Sequence, residues 1–251
     1  MLLNFSIFNL DLCEIDKRKA LISTINAYCY NMSQIDLVYQ EALLNSNVLI
    51  PDGISIVWAI KWLTGKKIKK ISGADLFANE MERLQQTGGK CFFLGSCEKT
   101  LIAIKDRAAR EYPNINVQWH SPPYKPEFAK EDNEVILEII NTFQPDVLFV
   151  GMTAPKQEKW AYQHYSNLQA GHVCCIGAVF DFYAGTINRA PRWMIGLGIE
   201  WFYRLIKEPR RMWRRYLIGN PKFIWAIFRE KYRIGLKNNL ENSSSSREIS
   251  S

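Results

Sequence analysis

The 251-residue sequence lacks the features of membrane-spanning, secreted and metal-binding proteins. No apolar stretch approaches the roughly 18–20 residues of a bilayer-spanning helix, and the first residues lack the basic stretch that opens a secretory signal. The six cysteines contain no C-x-x-C pair and the three histidines have no metal-ligand spacing, so we expect reduced thiols, no metal and no cofactor. We therefore predict a cytoplasmic protein whose membrane contact, if it has one, is peripheral.

Several catalytic motifs are also absent. No G-x-G-x-x-G follows a strand and no G-x-x-x-x-G-K-[ST] occurs, which argues against dinucleotide dehydrogenases, sugar-nucleotide epimerases and P-loop NTPases. The sequence contains no G-x-S-x-G elbow of a serine hydrolase. It also has no D-x-D, the acidic pair with which many nucleotide-sugar enzymes hold a divalent cation.

The residues that are present predict a folded body and a basic C-terminal segment. Apolar residues make up 47% of the chain, enough to offset the entropy of ordering it. Residues 189–233 contain twelve Lys and Arg against three Glu, a formal charge of +9 that leaves −2 for the rest. We predict a catalytic domain over residues 1–190, a basic, aromatic-rich helical appendage over 191–236 and a disordered tail over 237–251.

Two partners compete for the basic segment. Binding to nucleic acid requires basic side chains that contact phosphates and aromatic side chains that are free to stack on bases. Binding to an anionic membrane surface requires a helix with its basic and its aromatic side chains on separate faces. A helix over residues 209–218 separates four arginines from an apolar side of Met212, Trp213, Tyr216 and Leu217. This segregation favours a membrane surface or another protein over nucleic acid. An ordinary amphipathic helix that covers the core remains the alternative.

Apolar runs alternate with helical patterns through the body of the chain. The predicted strands cover residues 47–50, 90–95, 115–119, 146–151 and 172–179. The predicted helices cover residues 54–63, 74–86, 98–110, 131–143 and 155–165. Residues 17–30 fit either an extended segment or one amphipathic helix. The alternation predicts a Rossmann-like α/β fold, a parallel sheet with helices on both faces.

Ligands of such a sheet bind at the carboxyl ends of its strands. There, Pro51-Asp52-Gly53 follows one strand. An aspartate between proline and glycine is most often a turn residue that caps the next helix. In this crevice it is also a candidate general base, provided that its surroundings raise its pKa. If the preceding segment is extended, Thr24 and Asn26 lie on one face.

These motifs together resemble those of the WecG/TagA/CpsF glycosyltransferase family. The resemblance covers residues 5–225 and rests on Thr24-x-Asn26, the PDG turn, Gly73-Ala74-Asp75, FFLGS, GMTAPKQE, GAVFDFYAGTINRAPRW and GIEWFYRLIKEPRRMWRRYL. It implies an inverting, metal-independent transfer of an N-acetylmannosamine-type sugar from a UDP donor to a polyprenyl-diphosphate-linked sugar. It also implies action at the inner face of the cell membrane, in the biosynthesis of cell-surface polysaccharides such as capsule or teichoic acid.

The resemblance implies roles for individual residues. Asp52 corresponds to the catalytic base. The substrate-binding residues would be Thr24, Asn26, Gly53, Lys70, Gly73, Asp75, Gly95, Gly151, Lys156, Gln157, Glu158, Phe180 and Asp181. The lipid acceptor and the membrane would be contacted by Arg189, Arg204, Arg210, Arg211, Arg214 and Arg215. Lys70 stands where the family often has arginine, so it supplies charge without a bidentate fork.

The sequence leaves the donor sugar and the oligomeric state open, a homo-oligomer included. The alternative function is a non-catalytic nucleotide- or RNA-binding module of Rossmann-like fold with a basic tail.

Overall fold

A six-stranded parallel sheet forms the centre of the computed structural model, which describes residues 1–248 except the side chains of Arg192 and residues 237–248. The strands are β1 (Ala20–Ile25), β2 (Val48–Pro51), β3 (Lys90–Gly95), β4 (Asn116–His120), β5 (Val147–Gly151) and β6 (His172–Cys175). Their order in the sheet is β2-β1-β6-β5-β3-β4. Every pair is parallel, so all six carboxyl ends lie on one edge. The predicted α/β class is confirmed.

Helices cover both faces of the sheet. In the body of the chain they are α1 (Ala27–Ser33), α2 (Leu37–Leu44), α3 (Ile54–Thr64), α4 (Gly73–Thr87), α5 (Glu98–Glu111), α6 (Lys130–Phe143), α7 (Lys156–His164) and α8 (Val179–Ala184). Helices α4, α5 and α8 share one buried apolar cluster with the sheet, and α6 and α7 share another on the opposite face. Strands that are buried on both faces explain the continuous apolar runs of the sequence.

Residues 17–30, whose sequence fits either an extended segment or a helix, contain both: strand β1 comes first and the start of helix α1 follows it. Residues of β1 are buried throughout, and Asn26 ends the extended stretch. Its side-chain oxygen accepts hydrogen bonds from the backbone N–H groups of Tyr28 and Cys29, at 3.0 and 3.1 Å. An asparagine that caps a helix in this way stabilises the change from strand to helix.

The last strand is shorter than the sequence predicts. Residues 172–179 were predicted to be one strand, but β6 ends at Cys175 and α8 begins at Val179. Gly177, with φ of 54°, makes the turn between them, a backbone conformation that glycine adopts at little cost. Phe180 and Asp181 therefore lie on a helix and not in a turn.

The chain after residue 190 is helical and packs back on the body. It contains α9 (Arg192–Gly196), α10 (Glu200–Lys207), α11 (Pro209–Trp213), a π-helical turn (Arg214–Ile218) and α12 (Gly219–Glu248). Buried Phe223 and Ile227 of α12 join the apolar cluster of α1 and α3. Glu230, 3% exposed, accepts hydrogen bonds from the backbone N–H groups of Leu2 and Leu3, at 2.6 and 3.0 Å.

Helix α12 continues into the stretch that the sequence predicts to be disordered. It ends at Glu248, and residues 249–251 lie outside the described residues. An established helix adds residues without a new nucleation cost, so weak formers such as serine can extend it. The division into a catalytic domain and an appendage stays a prediction. Within residues 1–248, no helix combines the length and the apolarity needed to cross a bilayer.

Candidate active site

The pairing of β1 with β2 brings four of the predicted site residues together. Thr24 lies opposite Ile50 in the register, and the Asp52 N–H donates to the Ile25 carbonyl oxygen at 2.9 Å. A side chain on Gly53 would lie 3.5 Å from the Asn26 Cβ, so these two residues are neighbours. Thr24, Asn26, Asp52 and Gly53 thus form one wall at the carboxyl edge of the sheet.

The segment before α4 forms a second wall. The Ile71 N–H donates to the Pro51 carbonyl oxygen at 3.2 Å, which brings Lys70 and Ser72 beside Asp52. Asp75 is engaged locally, because its Oδ2 accepts from the backbone N–H of Ser72 at 2.8 Å and from its hydroxyl at 2.7 Å. This carboxylate therefore caps α4.

The C-terminal helices supply charged groups to the same place. Glu200 of α10 lies between two cations, with Oε2 3.8 Å from the Lys70 Nζ and Oε1 3.7 Å from the Arg189 Nε. Arg189 Nη2 also donates to the Ser72 hydroxyl at 3.2 Å. The Arg215 guanidinium lies 4.5 Å from the centre of the Tyr28 ring, two residues from Asn26.

Asp52 is half-buried in this charged environment. The pKa of Asp52 is raised to about 6, because burial and, to a smaller extent, the Glu200 carboxylate raise it more than Lys70, Arg215 and Arg189 lower it. A carboxyl group with this pKa is mostly ionised at neutral pH and is a stronger base than an ordinary aspartate. The condition that the sequence analysis set for a general base is therefore met.

Three arginines of the C-terminal segment each carry a buried N–H group, and two of them, Arg189 and Arg215, act on Asp52. The Nε atoms of Arg189, Arg204 and Arg215 are buried, and no hydrogen-bond partner for them exists among the residues that the structure describes. A buried guanidinium N–H without an acceptor is costly. Such groups suit an anion with several oxygens, such as a diphosphate.

The turns after β3 and β5 approach each other closely. A Cβ on Gly95, whose φ is 110°, would lie 2.7 Å from the Gly151 carbonyl oxygen. A Cβ on Gly151 would lie 2.6 Å from the Phe180 ring. Phe180 is 2% exposed and packs on Phe93. Phe180 therefore lies inside the core, next to the turn after β5. This position does not fit the substrate contact that the sequence predicts for it.

Gln157 and Glu158 form a buried pair beneath the turn after β5. Gln157 Oε1 accepts from the Thr153 N–H at 3.1 Å, and Gln157 Nε2 donates to Glu158 Oε1 at 2.8 Å. Glu158 is 1% exposed, and its Oε2 has no hydrogen-bond partner among the described residues. Burial raises the pKa of Glu158 to about 7. Glu158 thus lies behind Gln157, and the substrate contact predicted for it does not fit this position.

The other predicted residues are dispersed around the crevice. Gly73 packs against Val179, and a Cβ there would lie 3.4 Å from its side chain. The Lys156 ammonium donates to the Lys125 carbonyl oxygen at 2.5 Å and lies over the Phe128 ring. Asp181 is half-buried, and burial raises its pKa despite the nearby Arg211.

The basic residues predicted to contact lipid divide into two groups. Arg210, Arg211 and Arg214 are exposed, and Arg211 pairs with Glu208 at 2.9 Å. Arg189, Arg204 and Arg215 instead turn towards the body. Arg215 lies in the π-helical turn, and its guanidinium packs over the Tyr28 ring instead of sharing the exposed face of the other three arginines.

Sequence reasoning missed Glu200, Ser72 and Tyr28 as members of this cluster. The sequence did point to Glu200, because it is one of only three acidic residues among twelve basic ones in residues 189–233. Ser72 and Tyr28 had none, because only the tertiary fold brings them to the site. Throughout the part of the chain that the structure describes, no group of three His, Cys, Asp or Glu side chains is placed to hold a metal ion.

A parallel α/β sheet with its polar cluster at the carboxyl edge defines the Rossmann-like class of nucleotide- and substrate-binding proteins. Within that class, residues 8–236 match the family described as "Glycosyl transferase WecG/TagA/CpsF family". The chain belongs to this glycosyltransferase family, as the motifs of the sequence indicate.

Curated relatives cover most of the chain. A Bacillus subtilis (strain 168) protein is 30% identical over 212 residues, 84% of this chain and 80% of the relative. A Staphylococcus aureus (strain MW2) protein is 28% identical over 213 residues, 85% of this chain and 81% of the relative. Both relatives are named N-acetylglucosaminyldiphosphoundecaprenol N-acetyl-beta-D-mannosaminyltransferase.

The buried carboxyl group of Glu158 gives a prediction for stability. Because its folded-state pKa of about 7 exceeds the ordinary 4.5, stability falls as the pH rises through this interval. Glu158→Gln keeps an oxygen for Gln157 without the charge. We expect it to raise the free energy of unfolding by about 1–3 kcal/mol at about pH 8 and to leave it nearly unchanged at about pH 4. Urea denaturation measures both values.

The exposed Glu138 of α6 provides the matched control. Glu138→Gln removes the same charge from the surface, and we expect it to leave stability within about 0.5 kcal/mol at both pH values. A Glu158→Gln variant that is no more stable than wild type at about pH 8 would contradict a buried, ionised Glu158.

Proposed function

We propose that this protein transfers an N-acetylmannosamine-type sugar from a UDP donor to a polyprenyl-diphosphate-linked N-acetylglucosamine. The names of the relatives support the acceptor and the sugar. The observation that carries the proposal is the position of Asp52, a half-buried carboxylate faced by Lys70, Arg189 and Arg215. Such a site combines a base for an alcohol with cations for a diphosphate, which are the two requirements of sugar transfer from a nucleotide.

In the proposed reaction, Asp52 accepts the proton of the acceptor's sugar hydroxyl. The hydroxyl oxygen attacks the anomeric carbon of the donor as the bond from that carbon to the UDP oxygen breaks. One displacement of this kind inverts the anomeric configuration. Thr24 and Asn26 adjoin the base and would orient the acceptor.

Cationic side chains would replace a metal in this reaction. UDP leaves with increased negative charge on its terminal phosphate, and fixed positive groups stabilise that charge. Arg189, Arg204 and Arg215 have buried N–H groups free of partners among the described residues, which supports their contact with a diphosphate. Metal independence follows from this assignment and is part of the proposal.

The alternative, a nucleotide- or RNA-binding module without catalysis, accounts for less. It requires basic and aromatic groups on an open surface, whereas Arg189 and Arg215 act on the half-buried Asp52. It also gives no reason for a carboxylate with a raised pKa among the cations.

Product analysis tests the proposed reaction. The protein is incubated with a panel of UDP-sugars and a short-chain polyprenyl-diphosphate N-acetylglucosamine, with and without EDTA. We expect one added N-acetylhexosamine by mass from UDP-N-acetylmannosamine, an inverted anomeric configuration by NMR and the same rate in EDTA. Salt-dependent RNA binding without consumption of any UDP-sugar would instead support the alternative. Loss of activity in EDTA would contradict metal independence alone.

We further propose that the helices after residue 208 bind peripherally to the inner face of the cell membrane. Trp213, Leu217 and Ile218 are 41%, 58% and 54% exposed and lie close together in the chain. Arg210 and Arg214 lie exposed beside them. An exposed apolar group flanked by arginines suits the interface of an anionic bilayer, where the acceptor lipid resides.

Charge reversal tests the membrane proposal. Each basic residue near an anionic surface contributes about 1 kcal/mol of binding, so Arg210→Glu with Arg214→Glu should weaken co-sedimentation with phosphatidylglycerol vesicles by about thirtyfold or more. The control reverses Lys105 and Arg110, two exposed residues of α5, and should bind like wild type. Equal co-sedimentation of both double variants would refute this membrane surface.

A further inference from the structure

Glu200 occupies a central position among the charged groups around Asp52. The turn before it is held in place by Gly198, whose φ is 73° and where a Cβ would lie 3.2 Å from the Ile54 side chain. Ile54 is two residues from Asp52. The start of α10 is therefore seated on the same loop that carries the candidate base.

Both oxygens of Glu200 face cations, one each. The distances of 3.8 Å to the Lys70 Nζ and 3.7 Å to the Arg189 Nε exceed hydrogen-bond length. Glu200 thus holds both cations by charge while their N–H groups stay available to a substrate oxygen. Ser72 fixes the far end of Arg189 through the bond to its Nη2.

The same carboxylate acts on Asp52. The charged groups that act on Asp52 are Glu200, which raises its pKa, and Lys70, Arg215 and Arg189, which lower it. Without Glu200, the three cations would stabilise the ionised form of Asp52 without opposition and lower its pKa. Asp52 would then be a weaker base, and the cations would be less available to a diphosphate.

We propose that Glu200 is a positioning residue of the transfer reaction: it holds Lys70 and Arg189 away from Asp52, so that one helix of the C-terminal segment keeps the base free and the cations ready for the substrate. This inference rests on the proposed function. It assigns Glu200 no contact with the substrate.

The test compares Glu200→Gln, Glu200→Asp and wild type by two independent measurements. The first is the titration of the Asp52 carboxyl carbon by NMR, which needs no activity. The second is the pH dependence of kcat/KM with UDP-N-acetylmannosamine and the short-chain acceptor. The amide of Glu200→Gln preserves the shape of the half-buried side chain, and Glu200→Asp keeps the charge. Glu138→Gln controls for the loss of one negative charge elsewhere.

We expect Glu200→Gln to lower the pKa of Asp52 measured by NMR by about half a unit or more. The pKa of the acid limb of the kcat/KM profile should fall by the same amount. We also expect kcat to fall by about three- to tenfold. In the Glu200→Asp and Glu138→Gln variants, Asp52 should titrate as it does in the wild type. A Glu200→Gln variant whose titration and acid limb match wild type would overturn the role of Glu200, even if its stability or KM changes.

The failure of the proposed function gives a different result. A wild-type protein that turns over no UDP-sugar would refute the transfer reaction, and with it any role of Glu200 in that reaction, whatever the titration shows. An active wild type with an unshifted Glu200→Gln variant would refute the role of Glu200 alone.

Discussion

The charge on Asp52 is set by opposing influences. Burial and the Glu200 carboxylate disfavour the ionised form, whereas Lys70, Arg215 and Arg189 favour it. The combination of burial, Glu200 and the cations raises the pKa of Asp52 to about 6. This balance lets one carboxylate act as a base beside groups that bind an anion.

The balance depends on contacts between distant parts of the chain. Parallel pairing of β1 with β2 fixes Asp52, whereas Arg189, Glu200 and Arg215 come from the C-terminal segment. Helix α12 secures that segment through the buried Glu230 and through the Gly219 carbonyl oxygen, which accepts from the Asn31 side chain at 2.7 Å. The cluster around Asp52 therefore requires both parts of the chain to be folded together. A separate appendage that only reaches for lipid would not supply these groups.

Much of the fold was predictable because apolar runs and turn residues have local causes. The strand over residues 90–95 was predicted with its observed bounds, and the helix predicted over residues 74–86 is observed over Gly73–Thr87. The strand prediction needed only the periodicity of the sequence. The proximity of Thr24 and Asn26 to Asp52 was implied by the family resemblance, because periodicity alone left residues 17–30 either extended or helical.

The remaining features depend on tertiary packing that no local pattern encodes. Phe180 and Glu158 belong to motifs that resemble a binding site, yet the close approach of Gly151 and the burial of α7 place both inside the protein. Arg215 left its predicted face because its guanidinium packs over the Tyr28 ring of α1, a contact that only the tertiary fold creates. Glu200 could be seen in the sequence as an isolated acid, but only the fold shows that it lies between Lys70 and Arg189.

The reactivity of Asp52 is tested most directly by Asp52→Asn, an amide of the same shape that cannot accept the proton. Single-turnover rates are measured with donor and acceptor bound, together with UDP affinity and thermal stability, and the exposed Asp106 of α5 provides a matched Asp→Asn control. The account predicts that the rate of Asp52→Asn falls by about a hundredfold or more while UDP affinity and folding are retained. A rate within about threefold of wild type would contradict Asp52 as the general base.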